Sequence, residues 1–174
     1  MGEVSAVSQP SAPEPLSANH DFKDFNSGVA PLDDWLKNRA IQNESTGASR
    51  TFVVCAGGRV IGYYSLAAAS VIHRIATTKV RRNMPDPVPA AVVGRLAVDN
   101  AWQGRKLGIG LLQNAMLRVV GAADMIGIRV ILVHAISDQA KSFYERYGFR
   151  ASPVEPMTLM MTVDDVRRLL SRSP

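Results

Sequence analysis

Six residues near the middle of the chain combine positive charge with closely spaced glycines: Arg105, Lys106, Leu107, Gly108, Ile109 and Gly110. An apolar, β-branched run at residues 92–98 precedes them and predicts a buried strand. From Gly108 to Val120 apolar side chains recur at helical spacing, which predicts an amphipathic helix. A helix that begins at Gly108 points unpaired backbone N–H groups and the positive end of its dipole into the preceding turn. Both features suit a phosphate, so we predict that this turn binds a pyrophosphate.

Only one of three known phosphate-binding patterns fits the turn. A dinucleotide fingerprint needs a small residue three positions after its second glycine, whereas this chain has Gln113 there. The P-loop string G-x-x-x-x-G-K-[ST] does not occur in the chain. The pattern [QR]-x-x-G-x-[GA] fits from Arg105 to Gly110. The alternative is a glycine-rich turn that only lets the strand and the helix pack closely.

A second motif follows the next apolar run. Residues 129–135 predict another buried strand, and Asp138 is expected to cap a short helix at residues 139–147 that Gly148 ends. Residues 140–149, AKSFYERYGF, together with the pattern from Arg105 to Gly110, resemble the two acetyl-coenzyme A motifs of the GCN5-related N-acetyltransferases (GNAT). The resemblance implies an α/β fold of the GNAT type, with a mixed central sheet, two splayed parallel strands and flanking helices. It also implies acetyl-coenzyme A (acetyl-CoA) as co-substrate.

The same resemblance assigns roles to individual residues. In this superfamily a tyrosine near the second motif often donates a proton to the leaving thiolate, and the matching residue here is Tyr144. The alternative is that Tyr144 is only aromatic packing. The acetyl-CoA contacts are assigned to Leu96, Ala97, Val98, Gln103, Arg105, Lys106, Leu107, Gly108, Ile109, Gly110 and Phe143.

The chemistry of amine acetylation narrows the acceptor. Attack on a thioester places negative charge on the carbonyl oxygen, and we expect a backbone N–H near residues 96–98 to stabilise this charge. An α-amine, with a pKa of about 7.7–8.0, is partly neutral at cell pH, whereas a lysine amine at about 10.4 needs a strong base. Three residues near the motifs are candidates for a base, but each is more readily explained as structural: Asp99, Glu145 and His134. The sequence therefore favours an α-amino acceptor.

Further segments resemble the acetyltransferase toxins of bacterial toxin–antitoxin pairs. They lie at residues 14–17, 32–36, 50–54, 62–66, 81–89 and 95–99. The similarity covers roughly residues 14–159, and the string RRNMPDPVP at residues 81–89 is its most specific part. These toxins acetylate the amino acid on charged tRNA and block translation. They are typically homodimers, and a ribbon-helix-helix antitoxin neutralises them.

If the resemblance holds, five basic residues are expected to contact tRNA phosphates: Lys37, Arg39, Lys79, Arg81 and Arg82. Two other interpretations stay open at this point. One is an acetyltransferase of a small-molecule amine or a protein N-terminus. The other is a non-catalytic regulator that binds coenzyme A or nucleic acid.

Composition sets the broad class. The 174 residues are 47% hydrophobic and 20% charged, which is typical of an ordinary soluble globular protein. We expect a flexible Ser/Pro/Ala-rich leader at residues 1–13 and one GNAT domain at residues 14–174. The net charge of +5 favours anionic partners. No metal-ligand spacing occurs among the three histidines, so no metal is expected.

Cellular location is also bounded by the sequence. No apolar run approaches the roughly 20 residues that span a bilayer, and the N-terminus lacks the basic and apolar regions of a secretory signal. The single cysteine, Cys55, excludes an internal disulfide and is expected to be core filler. We therefore expect a cytoplasmic protein without membrane contact.

The remaining pattern predicts the order of elements. In chain order, we expect a short edge strand at 14–18, a helix from 31 to about 42 and a hairpin of strands 51–56 and 60–67. We further expect an irregular basic segment at 70–90, a strand at 157–162 and a C-terminal helix from Thr162. The hairpin turn is the pair Gly57 and Gly58. This order predicts an α/β fold with a mixed sheet.

Overall fold

The computed structural model describes residues 8–172. Within them the strands are β1 Glu14–Pro15, β2 Arg50–Ala56, β3 Arg59–Val71, β4 Val88–Val98, β5 Val130–His134, β6 Arg150–Ala151 and β7 Thr158–Thr162. The helices are α1 Ala30–Asn38, α2 Ala40–Thr46, α3 Thr78–Arg81, α4 Leu107–Ala123, α5 Asp138–Arg146 and α6 Val163–Ser171. A short 3-10 turn, Asn100–Trp102, lies between β4 and α4.

The strands form one mixed sheet. Its order is β1-β2-β3-β4-β5-β7-β6. Strands β4 and β5 are parallel, whereas β1 with β2, β5 with β7, and β6 with β7 are antiparallel. The predicted α/β fold with a mixed sheet is therefore confirmed, including the hairpin of β2 and β3.

The parallel ladder stops well before the end of β4. It runs from the pair Ala90 and Val130 to the pair Val93 and Val133. Strand β5 ends one residue later, whereas β4 continues to Val98. An early end of the ladder is what the predicted splaying of two parallel strands requires.

The proline-rich segment before β4 is more ordered than expected. Strand β4 begins at Val88, although prolines flank this residue on both sides. Proline is tolerated at the start of a strand where no N–H is needed, and here Pro89 supplies its carbonyl to the N–H of Arg129 at 3.0 Å. The irregular segment predicted at residues 70–90 is thus wrong in part, because it also contains α3 and the end of β3.

The helix predicted from residue 31 to about 42 is two helices. Arg39 ends α1 and precedes α2 with φ −126° and ψ −31°, which interrupts the helical backbone. The second helix then runs on to Thr46, where Gly47 at φ +78° ends it. Periodicity alone predicted neither the break nor the extension, because apolar residues continue across Arg39.

The caps of the last two helices differ in how well they were predicted. Thr162 caps α6, since its hydroxyl accepts the N–H of Asp165 at 3.1 Å. The cap of α5 is Ser137 rather than Asp138, because the Ser137 hydroxyl accepts the N–H of Ala140 at 3.1 Å. Both residue types are good caps, so sequence alone could not decide between adjacent candidates.

The chain divides into two compact units, each with a core of its own. One contains residues up to Ser65 together with Arg95–Leu112, and the other contains Leu66–Gly94 with the residues from Gln113 onward. The core of the first unit includes Leu16, Phe25, Trp35, Leu36, Ala40, Val53, Cys55, Val60, Tyr63 and Ala97. The core of the second includes Val71, Ala76, Val80, Val88, Ala90, Val130, Leu132 and Met160. The single GNAT domain at residues 14–174 stays a prediction.

Two expectations concern the N-terminal part and membranes. Residues 1–7 of the predicted leader lie outside the described residues, and in the remainder the Ser11 N–H donates to the Cys55 carbonyl at 2.7 Å. Cys55 is buried as predicted, and burial together with the Glu14 charge raises the pKa of its thiol. Among residues 8–172, no helix combines the length and the apolar character needed to cross a membrane.

The α5 cap can be tested by comparing Ser137→Ala with Asp138→Ala. Loss of the cap bond should lower the free energy of unfolding by about 1 kcal/mol. Asp138 acts through the helix dipole, so its effect should be smaller and should fade at high salt. Urea denaturation of both variants at low and high salt measures this. A larger loss for Asp138→Ala at high salt would contradict the assignment.

Candidate active site

The turn between β4 and α4 presents unpaired amides. The first helical hydrogen bond of α4 runs from the Gly110 N–H to the Lys106 carbonyl at 3.2 Å. The N–H groups of Leu107, Gly108 and Ile109 therefore precede the helical ladder, and in the described chain none of them donates to a protein acceptor. Together with the positive end of the helix dipole, these amides form a site for an anion. The predicted helix start is confirmed to within one residue.

The same turn carries two positive charges. Lys106 has φ +64°, a left-handed conformation that a residue with a side chain seldom adopts. Arg105 lies with its guanidinium carbon 4.6 Å from the centre of the Trp102 ring, a cation–π contact that holds the side chain in place. Both cations are exposed, and neither is paired with a carboxylate among the described residues. Their charge is therefore available to an anionic ligand.

Gln103 ties this turn to a loop earlier in the chain. Its side-chain amide nitrogen lies 2.9 Å from the carbonyl of Ser27, 3.0 Å from that of Val98 and 3.2 Å from Asn100 Oδ1. An amide group has only two N–H donors, so these three acceptors saturate it. Gln103 was assigned to the cofactor, but its amide N–H groups are committed within the protein.

Asp99 makes a second connection of the same kind. One oxygen of its carboxylate accepts the N–H of Asn26 and the other accepts the N–H of Ala101, each at 3.0 Å. Both carboxylate oxygens are thus engaged by backbone amides. Asp99 therefore fits the structural alternative better than the role of general base.

The end of β4 packs closely against its neighbours in the first unit. Ala97 is buried, whereas Leu96 and Val98 are half-buried. A Cβ at Gly62 would come within 3.4 Å of the Ala97 carbonyl and 3.1 Å of a Leu111 methyl carbon. Glycine at this position lets β3 approach β4 and the first turn of α4, which fixes the backbone proposed to face the thioester.

Tyr144 lies on α5 in the second unit and is 7% exposed. Edge-to-face contacts hold its ring, with the centres of Phe143 and Phe149 at 5.3 and 5.7 Å. Burial raises the pKa of its hydroxyl to about 12. Among the described residues none is hydrogen-bonded to this hydroxyl, so its proton is available to a ligand. The aromatic packing expected as the alternative is real, and it is compatible with a chemical role.

The acidity of Tyr144 limits what that role is. A phenol with a pKa of about 12 is a weaker acid than a thiol with a pKa of about 8.5. Complete transfer of the proton to a thiolate is therefore uphill. The geometry suits a hydrogen bond that strengthens as negative charge develops on sulfur.

The other two candidate bases lie in the second unit. His134 is exposed, and its Nδ1 lies 3.2 Å from Thr158 Oγ1. Glu145 is exposed and lines a cavity of about 410 Å³ with Thr77 and Phe149, among others. Within residues 8–172, neither is hydrogen-bonded to Tyr144.

The five basic residues assigned to tRNA fall into two groups. In the first unit, Lys37 and Arg39 are exposed at the end of α1. In the second unit, Arg81 and Arg82 are exposed at the end of α3, and one Arg81 Nη1–H donates to the His73 carbonyl at 3.2 Å. All four side chains are accessible to a large anionic partner.

Lys79, the fifth residue, is engaged within the protein. Its ammonium lies 2.7 Å from a carboxylate oxygen of Asp165 on α6. Burial alone would raise the pKa of Asp165, but the hydrogen bond and charge of Lys79 hold it below its usual range. Arg129 donates to the carbonyls of Lys79 and Val80 at 3.0 and 3.3 Å, which fixes α3. Lys79 therefore offers less free charge to an external phosphate than Arg81 or Arg82.

One cluster has the residue types of a metal site. The ligand atoms of Glu14, His20 and Cys55 lie within 4.8 Å of one another. The Ser17 N–H donates to His20 Nδ1 at 2.9 Å, so the ring proton sits on Nε2 and is shared with the Glu14 carboxylate at 2.9 Å. The Nδ1 lone pair then accepts the Ser17 N–H and Nε2 carries a proton, so neither ring nitrogen has a free lone pair to offer a metal. These contacts instead hold β1 and the following loop together.

The fold and the α4 turn define an acetyltransferase domain. Residues 47–151 match the family described as acetyltransferase (GNAT) domain, so the chain belongs to the GCN5-related N-acetyltransferases. Acetyl-CoA is the acetyl donor of this family. The unpaired amides and free cations of the α4 turn fit the phosphates of this co-substrate.

Comparison with individual proteins is more specific. The chain is 51% identical over 160 residues to the tRNA-acetylating toxin of Mycobacterium tuberculosis, covering 92% of this chain and 96% of the relative. The structure of AtaT complexed with acetyl-methionyl-tRNAfMet has the same fold, with a TM-score of 0.85 at 24% identity, covering 93% of this chain and 99% of AtaT. A Tyr-to-Phe mutant of the toxin AtaT, bound to the C-terminus of the antitoxin AtaR and acetyl-CoA, gives a TM-score of 0.81 at 24% identity, covering 94% and 99%.

The burial of Tyr144 predicts a specific alkaline behaviour. The pKa of the phenol is about 10 in the unfolded chain, whereas burial raises it to about 12 in the folded chain. Stability present below pH 10 is therefore lost as the pH rises toward 12. Tyr144→Phe keeps the ring contacts, but it has no hydroxyl to ionise, so its stability does not fall in this way. Between pH 8 and pH 11 the native protein should lose about 1 kcal/mol more than Tyr144→Phe.

Chemical denaturation at the two pH values measures the difference. At pH 8 the variant should unfold within about 1 kcal/mol of the native protein, because it removes a hydroxyl that has no hydrogen-bond partner in the described part of the chain. Equal losses between the two pH values would show that burial does not raise the pKa of the Tyr144 hydroxyl.

Proposed function

We propose that this chain transfers the acetyl group of acetyl-CoA to the α-amino group of the amino acid on charged tRNA, and thereby blocks translation as a toxin. The observation that carries the proposal is the 51% identity to a tRNA-acetylating toxin along 92% of this chain. The site geometry adds an anion-binding helix start and a buried phenol, both of which the reaction uses.

The α4 turn is proposed to hold the co-substrate. The N–H groups of Leu107, Gly108 and Ile109 face its phosphates, and Arg105 and Lys106 supply the counter-charge. When bound, acetyl-CoA supplies an activated acetyl thioester. Backbone N–H groups at residues 96–98 are proposed to stabilise the oxygen that becomes negative, since they are fixed on a packed strand.

The acceptor is proposed to be an α-amine, because such an amine needs little help from a base. The Asp99 carboxylate is occupied by two backbone amides. An α-amine is partly neutral near pH 7 without help, whereas a lysine amine at about 10.4 is almost entirely protonated. Tyr144 is proposed to donate a hydrogen bond to the departing sulfur, and this bond guides the proton as the sulfur becomes negative.

Charge supports a nucleic-acid substrate. The chain has a net charge of +5, and four of the cations proposed to contact tRNA are exposed, two in each unit: Lys37, Arg39, Arg81 and Arg82. Lys79 contributes to this field while it also pairs with Asp165. Such contacts release counterions, so the affinity for tRNA should fall steeply with salt.

Partners follow from the toxin assignment. The related toxin AtaT binds the C-terminus of its antitoxin AtaR. We propose a protein antitoxin of the ribbon-helix-helix class for this chain as well, and a homodimer as the active form. The proposed substrate is a cytoplasmic molecule, so the proposed site of action is the cytoplasm.

The first test is transfer of labelled acetyl groups from acetyl-CoA to total tRNA, charged and uncharged in parallel. Label should appear only on charged tRNA and should be released with the amino acid when the ester is hydrolysed. Tyr144→Phe should bind acetyl-CoA and transfer little label. If neither tRNA sample is labelled while acetyl-CoA binds, the acceptor is a small amine or a protein N-terminus. If Tyr144→Phe and the native protein arrest growth equally, a non-catalytic regulator is the better assignment.

The two arginines after α3 give a second test. Arg81→Ala with Arg82→Ala should reduce acetylation of charged tRNA at least tenfold by raising KM, because two phosphate contacts are lost. Acetyl-CoA binding should not change. The matched control is Arg59→Ala with Arg172→Ala, which removes the same charge from exposed positions elsewhere. Equal effects of the two pairs would mean that only net charge matters, and unchanged tRNA acetylation would remove these arginines from the tRNA surface.

A further inference from the structure

Arg95 is an arginine without a role in the reaction described above. It lies on β4 directly before Leu96 and is half-buried. Its guanidinium carbon lies 4.2 Å from the centre of the Trp35 ring, so the cation is stacked on the indole of α1. Sequence reasoning missed this residue, although a single charged residue in the otherwise apolar run at residues 92–98 was a signal that could have found it.

The stack under Arg95 is rigid. The Trp35 ring lies nearly parallel to the Tyr63 ring, with centres 6.0 Å apart and 12° between the planes. The Tyr63 hydroxyl donates to the Leu32 carbonyl at 2.6 Å. The Phe25 ring packs edge-on against the Tyr63 ring, with the ring centres 5.7 Å apart. Trp35, Tyr63 and Phe25 are all buried. One face of the guanidinium is therefore held in a fixed orientation.

The charge of Arg95 has no counter-ion among residues 8–172. In the part of the chain that the structure describes, it has neither a hydrogen bond nor an ion pair. Asp33, whose charge like that of Arg95 acts on the Tyr63 hydroxyl, is engaged through one carboxylate oxygen, which accepts the N–H and the hydroxyl of Ser27 at 3.0 and 2.6 Å. Burial lowers the pKa of Arg95, and the Tyr63 hydroxyl partly offsets this. A desolvated cation of this kind gains when an anion arrives.

The donor groups of Arg95 are not fully buried. Within residues 8–172, the one buried side-chain polar atom without a partner is Thr51 Oγ1. The Arg95 nitrogens, which also have no partner, are therefore accessible to solvent. A guanidinium that is stacked on one face and open at its edge has the geometry for bidentate binding of a phosphate.

We infer that Arg95 is a phosphate-binding residue for the tRNA, and that it binds a phosphodiester near the aminoacylated end. This inference rests on the proposed function. Arg95 adjoins residues 96–98, which are proposed to face the thioester, so its ligand lies close to the reacting amine. In a charged tRNA the anions nearest to the aminoacyl ester are the phosphates of the last nucleotides. Arg95 thereby positions the amine, whereas the cations of α1 and α3 contribute general attraction.

The test measures tRNA affinity against salt concentration. The ligand is tRNA charged through a non-hydrolysable 3′-amide, and acetyl-CoA is left out so that no transfer occurs. Arg95→Gln should weaken binding roughly tenfold. It should also lower the slope of log affinity against log salt by about 0.7, the value for one single-strand phosphate. The control Arg59→Gln removes an exposed arginine of the same unit and should leave the slope unchanged.

One further variant, Arg95→Lys, and the native protein separate the outcomes. Arg95→Lys keeps the charge, so it should keep the salt slope. It should lose affinity severalfold, because lysine lacks the paired N–H donors of the guanidinium. If Arg95→Gln does not fold, Arg95→Lys decides, and native affinity in that variant overturns the inference. Weaker binding of Arg95→Gln with an unchanged slope also overturns it, because the residue is then only structural. If the native protein neither binds nor acetylates charged tRNA, the proposed function itself fails.

Discussion

The connection between the end of β4 and the loop before α1 is the constraint on which the first unit depends. Gln103 and Asp99 attach the turn after β4 to residues 26 and 27 through hydrogen bonds to backbone groups. This attachment sets where α1 begins and so where Trp35 lies relative to Arg95. It also fixes the turn from which the unpaired amides of α4 project. A binding site for a charged ligand needs this kind of rigidity, since a cavity that relaxes loses its preorganised field.

The sequence predicted those features that depend on local spacing. The start of α4, the hairpin at Gly57 and Gly58 and the cap at Thr162 follow from glycine positions, periodicity and a hydroxyl at the right place. Each depends on a few neighbouring residues, and the structure agrees with each to within a residue or two. The mixed sheet could be predicted as well, because the order of elements allows few topologies.

Features that depend on distant contacts could not be predicted. The amide of Gln103 resembles a ligand contact in sequence, yet its acceptors include the carbonyl of Ser27, 76 positions away along the chain. Lys79 looks like a free cation in the sequence, but its partner Asp165 lies 86 positions further on. The stacking of Arg95 on Trp35 is of the same kind. A charge count shows how much positive charge a chain has, and only the fold shows which part of it is free.

The backbone at Lys106 shows what the α4 turn requires. A residue with a side chain in the left-handed region costs roughly 1–2 kcal/mol, a cost that glycine avoids. The turn uses glycine at Gly104, where φ is +77°, but keeps a lysine two residues later at φ +64°. The retained ammonium adds to the electric field at the open end of the helix. Selection for thermal stability alone would therefore favour glycine in place of this lysine. Such a variant would have a higher free energy of unfolding but a lower affinity for polyanions.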